Sequence, residues 1–321
     1  MLVEKRNPEE SRQGRAAELS TLAILTTVLA CCLSASPAQR PGQQTFPSAD
    51  EATKALIEAL RANDQSALLS ILGPAGKEVI FSGDPVEDKT DRAEFVEKYQ
   101  QMHRLVIEEN GTITLYIGDE ELPTPIPLVH AYGSWHFDTA AGKKEILYRR
   151  VGKNELAVIQ VCHKLVEAEK AYYAQPHDGN AGKEYARKFT SDPRTHDGLY
   201  WDAAAGETQS PLGPLMASAA AEGYIHQFNE EPQPFHGYYF RILTRQNGEA
   251  HDAPQSYIVN GKMTGGFAFL AYPAGYRSSG VMTFIVCQDG IVFEKDLGAR
   301  TAQVAKTITG YGRDSTWRKA D

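Results

Sequence analysis

The chain has 321 residues, 42% of them hydrophobic and 23% charged. That is the balance of a folded globular protein; it excludes disorder, and the length suffices for two ordinary domains. The net charge is −8 and the basic residues are scattered, which argues against nucleic acid as a partner.

In chain order, residues 19–35 carry no charge, follow Arg12 and Arg15, and lead into Ser36-Pro37-Ala38. This layout predicts a signal peptide over residues 1–38 and export to a periplasmic or secreted location, with no transmembrane span left after cleavage. Leu29-Ala30-Cys31-Cys32 also resembles a lipobox, so a lipid anchor at Cys31 or Cys32, and hence an outer-membrane lipoprotein, is the alternative. Residues 39–47 read as a polar Pro/Gly linker. An N-terminal α+β domain is expected over 48–152. Ser48 opens its first helix, with Glu51 at the capping-box position. A second, short helix follows Asn63-Asp64 and stops at Gly73-Pro74. Residues 82–85 read as a turn, and Asp91 as the cap of a third helix. From residue 111 the hydrophobic period changes to two. TITLYIG reads as a strand, ELPTPIPLV as an edge or extended segment, and SWHFDTAAGKKEILYRR as a hairpin turning at 140–143. The densest basic pairs, Lys143-Lys144 and Arg149-Arg150, flank a strand on this reading and form a solvated face.

Gly152-Lys153-Asn154 then marks a boundary, and a C-terminal α+β domain is expected over 153–321. Residues 155–175 form the longest helix, stopped by Pro176. A loop-rich passage runs to Ser210, read as the cap of a helix with Pro211 at its first position and Gly223 at its end. Strands follow in GYYFRILTR, SYIV and GGFAFLAY, and then in 281–287 and 291–295, which are joined by Gln288-Asp289-Gly290 as a tight turn. A long helix on a four- or five-stranded antiparallel meander, closed by a helix over 301–309, is the simplest arrangement. The fold class is therefore α+β: N-terminal helices plus antiparallel hairpins, then the long helix and its meander.

The runs SGDPVEDKTDRAEFVEKY, PIPLV, GSWHFDTAAGKKEILYRRVGKNEL, DGLYW, SPLGPLMASAAAEGY, HGYYFRIL and AYPAGYRSSGVMTFIVCQDGIVFEKDLG resemble, in order and spacing, the uncharacterised bacterial family called domain of unknown function 2950. The resemblance covers about residues 46–319 and brings no established catalytic residues with it. The chain departs from the family's usual pattern near HDGNAGKEYA, where it carries fewer acidic residues. The order of elements in the C-terminal half is also similar to the globular heads of pilin-like secretion proteins. A pilin, however, needs its hydrophobic helix at the very N-terminus, and here a whole N-terminal part intervenes.

Three His-Asp pairs, His177-Asp178, His196-Asp197 and His251-Asp252, could orient a general base or hold a metal. Adjacent residues in extended chain point to opposite sides, so turn chemistry is the simpler reading of each. Among them His196 and Asp197 are the catalytic candidates, together with His236, because THDGLYW adds Tyr200 and Trp201 as ligand-facing aromatics; Tyr238 is a third such aromatic. A calcium loop starting at Asp178, with Asn180 and Glu184, places Gly182 and Phe189 where ligands are required, so no metal is expected there. No G-x-S-x-G elbow, Walker A run or G-x-G-x-x-G occurs, and no cofactor is expected. Cys162 and Cys287 could form a disulfide in an oxidising compartment, or serve as small buried hydrophobes. These readings favour an exported envelope protein acting as a non-catalytic binding or structural module for a partner protein or cell-wall polymer. A periplasmic hydrolase using a His/Asp site between the two parts is the alternative.

Overall fold

The computed structural model describes residues 42–178, 182–204, 206–224, 233–247 and 254–320. The expected leader, the lipobox cysteines, Asn180 and the His251-Asp252 pair lie outside the described residues.

Helix α1 (Ala49–Arg61) starts where Ser48 accepts a hydrogen bond from Glu51 N at 3.1 Å, and α2 (Gln65–Leu72) where Asp64 accepts from Ala67 N at 3.0 Å. Both starts match the sequence signals for an N-cap. A single 3-10 turn leads into the one-turn helix α3 (Lys77–Ile80). Helix α4 (Pro85–Gln101) begins before the expected cap at Asp91, because Asp84 caps it and Pro85 supplies a preset φ at its first position. An antiparallel sheet follows. Its strands are β1 (His103–Ile107), β2 (Ile113–Ile117), β3 (Leu122–Pro123), β4 (Leu128–Ala131) and β5 (Ser134–Phe137), in the order β1-β2-β4-β5 with β3 also on β2. Ile113, Leu115 and Ile117 point inward from β2, as the period of two requires. Of these, Ile113 joins α1 and α2 in a core containing Phe46, Leu56, Leu68, Ile71, Leu128 and Phe137.

The expected hairpin over 134–150 is overturned: only SWHF is strand, and the rest opens α5 (Thr139–Ala174), a helix of 36 residues capped by Asp138. The stretch AAGKKEILYRR is rich in good helix formers, and the glycine that suggested a turn has a packing reason instead. A Cβ at Gly142 would collide with the Pro125 carbonyl, so glycine lets the helix lie directly against the chain at 124–126. Gly152, Lys153 and Asn154, expected at a boundary, sit inside the same continuous helix.

The second half of α5 presents Val158, Val161, Cys162, Leu165, Val166 and Tyr172 to a second core. Helix α6 (Gly213–Ala221) precedes that core's sheet; it starts later than Ser210-Pro211 predicted, with Leu212 at its cap and Pro214 in its first turn. The strands are β6 (Tyr238–Leu243), β7 (Arg245–Gln246), β8 (Gln255–Ser256), β9 (Ile258–Val259), β10 (Lys262–Met263), β11 (Ala268–Pro273), β12 (Met282–Cys287) and β13 (Phe293–Asp296). Helix α7 (Thr301–Thr307) and β14 (Arg318–Lys319) complete the chain. The main sheet is five-stranded and antiparallel in the order β6-β11-β12-β13-β14, a meander interrupted by the small pairs β7-β8 and β9-β10. Asp289-Gly290 makes the turn between β12 and β13: Gly290 has φ +80°, and Asp289 Oδ1 accepts from Ile291 N at 2.9 Å. The fold is α+β. No helix among the described residues is long and apolar enough to cross a membrane.

Candidate functional site

The sequence candidates do not share one attachment. His196 turns away from its neighbour Asp197 and pairs with Asp178, whose Oδ1 lies 3.0 Å from His196 Nδ1 and whose Oδ2 accepts from His196 N at 2.7 Å. Asp197 accepts instead from Lys188 Nζ at 2.6 Å, Thr195 Oγ1 at 2.8 Å and Asp192 N at 2.9 Å. Partial burial works against its charge, yet these donors prevail and hold its pKa down to about 2. A carboxylate so acidic and so fully engaged is a poor general base near neutral pH. Trp201 and Tyr238, expected to face a ligand, are buried in the second core, because each has an apolar body and finds a main-chain partner for its polar tip. Trp201 Nε1 donates to Thr208 O at 3.0 Å, and Tyr238 OH to Met282 O at 3.0 Å. Tyr200 is half-buried, with its hydroxyl on Asp202. No disulfide links Cys162 to Cys287. Among the described residues, no group of three His, Cys, Asp or Glu side chains is placed to hold a metal ion.

His236 belongs to a different neighbourhood, a seam of buried polar groups around the start of α4 and the middle of α5. Asp84 is fully buried, and its Oδ1 caps α4 through Val86 N and Glu87 N. Its Oδ2 accepts from Tyr224 OH at 2.8 Å and Gly237 N at 2.9 Å. Gly237 has φ +73°, and a Cβ there would fall 2.6 Å from Asn154 Nδ2, so the close approach demands glycine. Asn154 donates to Ser279 O at 3.0 Å, and Glu155 Oε1 accepts from Val281 N and Met282 N at 2.8 and 2.9 Å. The serine hydroxyls here are also spoken for: Ser278 donates to Phe81 O and Ser279 to Gly275 O. Burial lowers the pKa of His236, against the pull of Glu222 and Asp84. Beside the seam, burial raises the pKa of Glu87, opposed by Lys153, whose Nζ lies 3.3 Å from Glu87 Oε1 and 3.1 Å from Asp91 Oδ1. The seam is chiefly carpentry, in which carboxylates hold main-chain N–H groups that no strand or helix satisfies.

Residues 43–320 match the family described as Protein of unknown function (DUF2950). The chain belongs to that family. No curated protein and no solved structure matches it. Stretches that carry the DUF2950 resemblance also wall a cavity of the N-terminal core.

This cavity has a volume of about 530 Å3. Leu56, Leu68, Leu72, Leu115 and Phe137 line it from deep positions, each no more than 8% exposed. Phe95 from α4, Pro125 and Ile126 from the segment against Gly142, and Ile146 from α5 add further apolar wall. Charged side chains complete the lining: Asp88, Asp91, Arg92 and Glu94 from α4, and Arg149, Arg150 and Lys153 from α5. Among these charged groups Asp88 and Arg92 are buried, whereas the side chains of Arg149, Lys153 and Glu94 are 59, 55 and 57% exposed.

Sequence reasoning missed this place. Arg149 does belong to a solvated face, paired with Glu145 at 2.7 Å, but Arg150 turns back to bind Glu78 O and Val79 O. Arg92 is 7% exposed and donates to Ile80 O at 2.7 Å and Asn63 Oδ1 at 2.8 Å. The two guanidinium groups collect the carbonyls at the end of α3, where cations are favoured. The helical spacing of Arg149, Arg150 and Lys153 would have been a signal, had the segment been read as helix.

Proposed function

We propose that this protein is exported and acts in the cell envelope as a non-catalytic binding module, with its ligand received in the cavity between α1, α2, α4 and the first half of α5. The observation that supports this reading is the cavity itself. A largely apolar hollow of this size with charged groups among its walls is what small-molecule sites are made of. The residues proposed for hydrolysis favour it less, because His196 and Asp197 spend their hydrogen bonds on separate turns. The test is saturable binding of an uncharged apolar dye, N-phenyl-1-naphthylamine, followed by its fluorescence. One site per chain, abolished by Val79→Phe in the cavity wall, is expected; no saturable binding would remove the reading. Export is tested separately by N-terminal mass analysis of the protein recovered from an envelope fraction, with a mature start at Gln39 as the expected outcome.

A further inference from the structure

The charges around the cavity are not balanced alike. Each acidic side chain of the lining has a partner: Asp88 accepts from Ser82 N at 3.0 Å, Asp91 meets Lys153 at 3.1 Å, and Glu94 meets Lys98 at 3.6 Å. Arg92 and Arg150 bond only to neutral acceptors, and among the described residues neither guanidinium has a carboxylate within ion-pair distance. Each spends two of its five N–H donors in this way. They also feel each other: burial makes Arg92 easier to deprotonate, Asp88 opposes this, Arg150 adds to it by less than Asp88 takes away, and Asp91 opposes it again. Asp88 answers both charges from beyond ion-pair distance, so N–H donors on both guanidinium groups remain to receive an anion.

We propose that the cavity accepts a single-chain anionic amphiphile, its alkyl chain lying among Leu56, Leu68, Leu72, Leu115 and Phe137 and its carboxylate or phosphate head received by Arg92 and Arg150. The inference rests on the binding-module reading and names the ligand class of that site. Guanidinium forks suit both head groups, since each presents paired oxygens. The apolar floor excludes a polar polymer, whose hydroxyls would lose water without gaining partners.

The test measures displacement of N-phenyl-1-naphthylamine from the purified protein by four compounds of equal chain length: laurate, dodecyl phosphate, dodecanol and dodecyltrimethylammonium. At least one of the two anions is expected to displace the dye at a concentration about tenfold below that needed for dodecanol, with the cation weakest. Which anion is stronger assigns the head as carboxylate or phosphate. Arg150→Gln should erase most of that advantage and leave dodecanol unchanged. Should this variant fail to fold, the head-group series on the unaltered protein decides alone. Dodecanol equal to both anions, or the cation preferred, would overturn the anionic head and leave the cavity a binding site. Failure of the dye itself to bind would instead overturn the reading underneath.

Discussion

The two cores of this chain are built from similar residues and differ in how completely they close. In the C-terminal core, Phe267, Phe269, Leu270, Phe284 and Val286 are all fully buried, and α5 seals one face of the sheet with Val158, Val161 and Leu165. In the N-terminal core, helices α1, α2 and α4 and the first half of α5 surround about 530 Å3 that their side chains do not fill. Protein interiors normally pack to crystal-like density, and an open hollow leaves the side chains along its walls without those contacts. A core that leaves one is therefore less self-sufficient than its neighbour. The same helix serves both, so the difference lies in what faces α5 rather than in α5 itself.

The comparison can be broken in several places. The largest effect is expected in the closed core: Phe284→Ala should cost about 3–5 kcal/mol in denaturant unfolding, since nothing there can collapse to refill the space. A much smaller loss would expose hidden slack in this core. Next comes Glu169, which faces the closed core from α5; it is fully buried, and only its Oε2 has a partner, Ala186 N at 2.9 Å. Burial raises its pKa from 4.5 to about 8, against the Ala186 hydrogen bond. The folded state then holds a proton that the unfolded chain has released, so stability falls as pH rises from 4.5 to about 8 and is level beyond. The loss should be on the order of a few kcal/mol, and Glu169→Gln should flatten that part of the pH profile. An unchanged profile would show that Glu169 is not buried as a neutral acid.

At the joint between the cores, Asp84→Ala removes a helix cap and strands Gly237 N and Tyr224 OH. It should lower stability by about 1–3 kcal/mol, read as a drop in the thermal midpoint. The sharpest comparison uses one substitution twice. Val286→Phe on β12 should overpack the closed core and cost about 1–3 kcal/mol, whereas Val79→Phe, aimed at the cavity, should change stability by about 0.5 kcal/mol or less while abolishing dye binding. Equal penalties would mean that the cavity walls are as rigidly committed as the packed sheet.

Much of the fold was legible because it is governed by local rules. Ser48 and Asp64 cap helices wherever their side chains can reach the third N–H beyond, and Asp289-Gly290 turns a chain between two β-branched runs regardless of context. The first half of α5 was misread for the opposite reason. Gly142 looks like a turn residue until Pro125 is seen against it, and Pro125 is brought there only by the sheet. The candidate residues fared similarly. His196 and Asp178 were both noticed, but each beside the wrong partner, because the two stand 18 positions apart in the sequence and meet only in the folded chain. Arg92 and Arg150 carry no motif at all; only a helix beside a helix puts them together at one cavity.

What the sequence by itself determined is the α+β class, the helix caps at Ser48 and Asp64, the meander and the turn at Gly290, all consequences of periodicity and of side chains acting on their own backbone. Only the tertiary structure decided the continuous 36-residue α5, the partner of each histidine and the seam on Asp84. It alone also decided the unfilled volume beside two arginines, because a void is a relation among surfaces from many segments and has no residue of its own.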